Sequence, residues 1–156
     1  MDDAQLLVLE LGSKGYSCAQ MVMIGGLRLM GRENHDLVRA MAGLAQGVGA
    51  SGEICGALSG GVCLIGLHTG KGEDAEEPLP EAPLIMNQLV EWFQEDLCAG
   101  GAITCDAILG CGPESAADCR GMDAMRCGDL VARTWSKAVS LLLESGIDPA
   151  QGRELP

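Results

Sequence analysis

The sequence lacks every short cysteine motif that would assign its thiols to a familiar kind of site. No two of its eight cysteines are closer than six positions, so neither C-x-x-C nor C-x-x-C-H occurs. These absences exclude the usual local signatures of thioredoxin-like redox centres, of zinc sites and of covalent haem attachment. If the thiols act together, tertiary folding must gather them.

Aromatic residues and positive charges are also scarce. Only Tyr16, Trp92, Phe93 and Trp135 are aromatic, and 10 Lys and Arg residues stand against 22 Asp and Glu residues, for a net charge of −12. Proteins that bind single strands rely on aromatic stacking, and nucleic-acid binding in general relies on cationic contacts to phosphate. The composition therefore argues against nucleic acid. The negative charge serves solubility or, alternatively, steers a protein partner with a basic surface.

Long hydrophobic runs are missing as well. The longest apolar stretch, Ile54 to Leu67, is shorter than the ~20 residues that a membrane-spanning helix needs. The first residues, MDDAQLLVLELG, are too acidic for a signal peptide. We therefore expect a soluble, cytoplasmic protein without a membrane span. In a reducing compartment, cysteines serve metal binding or redox catalysis more often than structural disulfides.

The sequence is rich in helical periodicity, interrupted by 23 glycines. Apolar residues recur at spacings of three and four along most of the 156 residues, and no segment alternates convincingly with a period of two. We predict an all-α fold: a compact single-domain bundle of about six to seven helices with a glycine-rich central helix. This cysteine-rich domain is expected over residues 1–145, with a frayed C-terminal tail at 146–156.

Predicted helix bounds decide which cysteines can meet. The third helix is expected to begin at Asp36 and to bury Val48, and the central helix is expected from about Glu53 to Leu67. Cys55 and Cys63 are eight positions apart on the central helix, or about 12 Å along its axis. A disulfide needs Cα atoms within about 7 Å, and one metal ion cannot bridge that distance either. Cys63 is therefore interpreted as a small core residue.

Four cysteines share a predicted position near the start of a helix. They are Cys18, Cys55, Cys105 and Cys127. Free N–H groups at a helix start stabilise a thiolate and lower its pKa. Convergence of four such starts would suit an anionic cluster or a reactive thiol pair, whereas four independently buried thiols are the alternative.

The segment CGALSGG, residues 55–61, adds weight to a shared site. Its three glycines each lower the helix propensity by up to ~1 kcal/mol. The absence of side chains beside Cys55 would make room for a neighbouring helix or for an inorganic group.

Together these segments resemble a known family. GYSCAQ at 15–20, CGALSG at 55–60, Cys105, and CGDLV from Cys127 are similar to the C_GCAxxG_C_C family of putative redox-active proteins, over about residues 10–140. A related domain occurs in split-Soret-type cytochromes. The resemblance implies an all-helical domain, often from anaerobic prokaryotes, in which the same four cysteines hold an iron–sulfur centre. No haem is expected, because the attachment sequence is missing.

The other cysteines and the two histidines depart from that pattern or carry no clear role in it. Cys98, Cys111 and Cys119 lie at or beside predicted loops that bracket Cys105, so they either supply additional metal ligands or are incidental thiols. His35 is interpreted as a surface or capping residue. His68 is interpreted as a partner of the helix dipole at the end of the central helix.

The leading hypothesis is a small iron–sulfur protein that carries electrons or senses redox state. Cys18, Cys55, Cys105 and Cys127 would ligate a [2Fe–2S] or [4Fe–4S] cluster, and the partner would be another redox protein. One alternative is a metal-free thiol–disulfide oxidoreductase, and another is a zinc or Cu(I) binding protein that uses the same thiolates. A glycine-rich helical surface would also allow a homodimer.

Overall fold

The computed structural model describes residues 1–114, 116–120 and 123–153, in which helices are joined by turns and loops. The helices are α1 (Asp3–Ser13), α2 (Cys18–Leu29), α3 (His35–Met41), α4 (Gly56–Thr69), α5 (Ala82–Trp92), α6 (Cys105–Leu109), α7 (Ala116–Cys119) and α8 (Ala124–Glu144). A 3₁₀ turn extends α3 over Ala42–Leu44, and a π-helical turn extends α5 over Phe93–Leu97. No strand occurs among the described residues, and the predicted all-α fold is confirmed. None of the described helices is long and apolar enough to cross a membrane.

Side-chain caps fix where the helices that carry cysteines begin. The Thr104 hydroxyl accepts a hydrogen bond from the Ala107 N–H at 3.3 Å, and the Asp123 carboxylate accepts one from the Arg126 N–H at 2.9 Å. At α2, the Gln20 side chain accepts from the Ser17 N–H at 3.0 Å. Each bond satisfies a backbone donor that the helix itself leaves unpaired. These local signals were readable from the sequence.

The third helix is shorter than predicted and gives way to a left-handed turn. Five consecutive residues, 46–50, have positive φ angles between 53° and 77°, and three of them are not glycine. Val48 is 44% exposed, so its predicted place on a buried stripe is wrong. Hydrogen bonds hold this unfavourable backbone: the Gly52 N–H donates to the Gln46 carbonyl at 3.0 Å and the Glu53 N–H to the Gly47 carbonyl at 2.9 Å.

The core is built around α4, which packs against α2, α5 and α8, while α1 packs on α8. The largest side chains that are fully buried include Met23, Leu58, Leu64, Ile65, Ile85, Leu89, Phe93 and Leu142. Burial of such side chains contributes about 1.5–3 kcal/mol each. The predicted central, glycine-rich helix is therefore α4.

Glycines let α2 and α4 approach closely. A Cβ atom at Gly60 would lie 2.9 Å from the Cα atom of Ala19, and a Cβ atom at Gly26 would overlap the side chain of Leu64. A Cβ atom at Gly56 would overlap the sulfur of Cys18. Gly60 therefore allows α2 to pack closely on α4, and Gly56 leaves space for the sulfur of Cys18.

The C-terminal segment is packed against the end of α4 as far as Arg153. The Arg153 guanidinium donates to the carbonyls of Thr69 at 3.0 Å, Gly70 at 3.1 Å and Glu77 at 2.8 Å. Pro149 is buried. Up to Arg153 the segment is therefore ordered by contacts, where the sequence predicts fraying from Gly146. Residues 154–156 of the predicted tail lie outside the described ranges.

Candidate functional site

Two short antiparallel segments hold Cys55 beside Cys105. The Cys55 N–H donates to the Ile103 carbonyl at 3.0 Å, and the Cys105 N–H donates to the Glu53 carbonyl at 2.7 Å. Ile54 pairs with Thr104 between these two bonds. Cys55 is the N-cap of α4 and Cys105 is the first residue of α6. The pairing therefore brings the starts of these two helices together.

The four predicted cysteines line one cavity. Cys18 is the first residue of α2 and Cys127 the fourth of α8, so all four thiols stand at helix starts, as the sequence predicts. With Cys55 and Cys105 they border a cavity of about 550 Å³. Most of the remaining lining is apolar and includes Val8, Leu9, Met21, Ile108, Leu109 and Leu130. Among the described residues that line it, none carries a formal charge.

Burial dominates the protonation of the cavity thiols. It raises the pKa of Cys55 to about 12, even though the N–H groups of Ala57 and Leu58 act in the opposite direction. Burial also raises the pKa of Cys127 to about 11 and raises the pKa of Cys105, and the neighbouring thiols add to each shift. The expectation that helix starts lower the pKa is therefore wrong for these three thiols, because loss of water outweighs the helix dipole.

An arginine fixes two walls of the cavity to each other. The Arg120 Nε atom lies 2.6 Å from Asp106 Oδ1 and its Nη2 atom lies 2.8 Å from Asp106 Oδ2. Its Nη1 atom donates to the Ala50 carbonyl. The hydrogen bonds from Arg120 lower the pKa of Asp106. We call this set of contacts the Arg120 clamp. It joins α6 to the left-handed turn at residues 46–50. Ala45, which directly precedes that turn, lines the cavity. Sequence reasoning missed it, because partners 14 residues apart leave no local pattern.

The predicted additional ligands lie elsewhere. Cys111 and Cys119 form a disulfide with a Cα–Cα distance of 5.7 Å, so neither is free to act as an additional metal ligand while this bond is closed. Cys98 is half-buried after the π-helical turn and does not line the cavity. In the described ranges, no three Cys, His, Asp or Glu side chains stand close enough together to hold a metal ion.

Cys63 is exposed, and its interpretation as a small core residue is wrong. It lies on the side of α4 that faces away from the core, although the surrounding protein atoms still remove some water and raise its pKa. The separation of Cys55 from Cys63 was correctly expected, since only Cys55 reaches the cavity.

Comparison with protein families identifies the family to which the chain belongs. A family model described as "Putative redox-active protein (C_GCAxxG_C_C)" matches residues 16–141. The chain belongs to this family. The matched range contains all four cysteines that line the cavity. No curated protein and no solved structure matches the chain.

The histidines stand apart from the cavity that the family cysteines line. His35 is exposed at the start of α3. His68 is 2% exposed, and neither ring nitrogen has a hydrogen-bond partner in the described part of the chain. Burial lowers the pKa of His68. The Gln151 backbone opposes this to a smaller extent, Arg32 lowers the pKa further, and Asp148 raises it. His68 is therefore neutral near pH 7, and its interpretation as a charged partner of the helix dipole is wrong.

Replacement of His68 should remove part of the acid sensitivity of the fold. The unfolded chain binds a proton at His68 below pH ~6.5, whereas the folded protein resists that proton, so the wild type loses stability as the pH falls through this value. Between pH 7.5 and 5.5, we expect His68→Leu to lose up to about 1.4 kcal/mol less than the wild type. Urea unfolding at both pH values measures this difference. His35→Leu is the comparison variant, and an equal loss in the wild type and His68→Leu would contradict the prediction.

Proposed function

We propose that the cavity binds an iron–sulfur cluster through Cys18, Cys55, Cys105 and Cys127, and that the protein carries single electrons or senses redox state. The observation that carries the proposal is that four thiols from four different helix starts border one cavity. Cysteine thiolates are the usual ligands of such clusters. Family membership supports redox activity in general.

The size and lining of the cavity fit a group larger than one ion. A zinc ion holds its sulfur ligands at about 2.3 Å, and a cavity of about 550 Å³ exceeds the space that such a site fills. A bound cluster would supply one-electron oxidation and reduction. The apolar walls, including Val8 and Leu130, would limit the access of water, which is one of the factors that set the potential of such a centre.

The protonation of the thiols favours a metal-bound state over direct thiol chemistry in the cavity. Burial raises the pKa of Cys55, Cys105 and Cys127, so these groups are protonated when no cation is near. Thiol–disulfide exchange needs a thiolate as the attacking group, which these three residues do not supply at neutral pH. Positive charge from iron would displace the protons and stabilise the thiolates.

The partner that we propose is a redox protein with a basic surface. The net charge of −12 would attract such a protein over long range and speed the encounter. The homodimer expected from the glycine-rich surface stays a prediction.

Metal and sulfide analysis of anaerobically purified protein tests the proposal. We expect bound iron together with acid-labile sulfide, and visible absorption that bleaches on reduction. Zinc or copper without sulfide would support the binding-protein alternative instead. Protein that holds neither iron nor sulfide, even after anaerobic reconstitution, would overturn the proposal.

A further inference from the structure

The Cys111–Cys119 disulfide encloses a loop that returns to the cavity wall. Both cysteines are half-buried, so solvent reaches the edge of the bond. The Cys111 N–H donates to the Asp106 carbonyl at 2.8 Å. Arg120, the next residue after Cys119, binds the carboxylate of the same Asp106. The two ends of the disulfide loop therefore meet at one residue, directly after Cys105.

We propose that Cys111 and Cys119 form a redox-active pair, reduced by a dithiol, whose state controls how firmly the Arg120 clamp holds the cavity wall. Neither cysteine belongs to the set that the family resemblance picks out. The proposal does not depend on what the cavity binds, because the disulfide lies outside the lining residues.

The exchange is a two-electron reduction in which the dithiol supplies both electrons and both protons, so no group in the cavity takes part. A thiolate of the dithiol attacks one sulfur of the Cys111–Cys119 bond, which breaks that bond and forms a mixed disulfide. The second thiol of the reductant then attacks the mixed disulfide. The reductant leaves as a disulfide, and Cys111 and Cys119 leave as two thiols that have taken up its two protons. Both cysteine residues are only half-buried, which permits this attack.

Chain connectivity links the disulfide to the clamp. Asp106 and Arg120 are 14 residues apart along the chain. With the disulfide closed, the covalent path between them is about half as long, and halving a loop favours its closure by about threefold. Reduction should therefore weaken the Arg120 clamp by about threefold without breaking any of its contacts directly.

A redox titration tests the first half of the proposal. The whole protein is equilibrated anaerobically with mixtures of reduced and oxidised dithiothreitol, quenched in acid and alkylated in denaturant. Mass spectrometry then counts thiols at Cys111 and Cys119. We expect a reversible loss and recovery of both thiols together while the helical circular dichroism stays constant, and no such transition in the double variant Cys111→Ser/Cys119→Ser. A disulfide that resists reduction until the protein unfolds, or thiols that never pair, would overturn the proposal.

Hydrogen exchange tests the link to the cavity wall. The N–H groups of Cys105 and Asp106 are bonded to the carbonyls of Glu53 and Gly52 at 2.7 and 3.1 Å, so their exchange reports how firmly this wall is held. Reduction should speed their exchange by about threefold. In oxidised Arg120→Met the exchange should already be fast, and reduction should add nothing. Amides in the middle of α4 are the internal control. Unchanged exchange at Cys105 and Asp106 on reduction, or equal acceleration in α4, would overturn the link.

Discussion

A Cys55→Ala variant should bind iron at least about tenfold more weakly than the wild type, whereas Cys63→Ala should bind iron like the wild type. Loss of an indirect supporting contact at a metal site commonly costs 10–100-fold in affinity, so loss of a ligand should cost no less. Cys55 borders the cavity, while Cys63 is exposed two turns further along the same helix. Iron and sulfide content per protein, measured after identical anaerobic reconstitution, gives the comparison.

The two variants make a matched pair, because each replaces one thiol of α4 by the same small side chain. Circular dichroism and the unfolding midpoint of both establish that the fold is kept. Equal loss of iron in both variants would mean that iron binds outside the cavity or follows the fold as a whole. Retention of iron in both would remove Cys55 from the ligand set and with it the proposed site.

The positions of the four cavity cysteines were predictable because nearby residues in the sequence determine where each helix starts. Thr104 caps α6 through its hydroxyl, Asp123 caps α8, and the glycine after Cys55 opens α4. Each signal lies within four residues of the thiol that it positions. The periodic apolar pattern likewise predicts the all-α class, because it requires no knowledge of which helices touch.

The features that the sequence did not reveal depend on contacts between distant segments. The pKa of Cys55 rises because other helices bury it, and no local pattern reports that burial. The Arg120 clamp likewise joins segments that are far apart in the sequence, since Arg120 binds Ala50 at the end of the left-handed turn. Cys63 was misplaced because α4 is apolar around most of its circumference, so periodicity alone does not tell which side faces solvent.

A Gly60→Ala variant should be destabilised by a net amount of up to roughly 2 kcal/mol, because it forces α2 away from α4. The new Cβ atom would lie 2.9 Å from the Cα and 3.2 Å from the carbonyl oxygen of Ala19, and backbone atoms cannot turn aside as a side chain can. Overpacking of this kind costs about 1–3 kcal/mol, and the better helix propensity of alanine returns up to about 1 kcal/mol. Urea unfolding at neutral pH measures the difference. Cys18 directly precedes Ala19, so the same shift should also reduce iron uptake.

Gly66→Ala, at about 1.7 turns further along α4, separates the effect of helix packing from that of helix propensity. Its Cβ atom would meet only the flexible end of Met86 at 3.5 Å, which is an ordinary contact distance. We therefore expect this variant to gain up to about 1 kcal/mol and to take up iron like the wild type. If Gly60→Ala were as stable as Gly66→Ala, the close approach of α2 and α4 would not be what requires glycine in the CGALSG segment. If Gly60→Ala lost stability but kept its iron, the position of Cys18 would not depend on the contact at Gly60. The packing of the Cys18 sulfur against Gly56 would then position it.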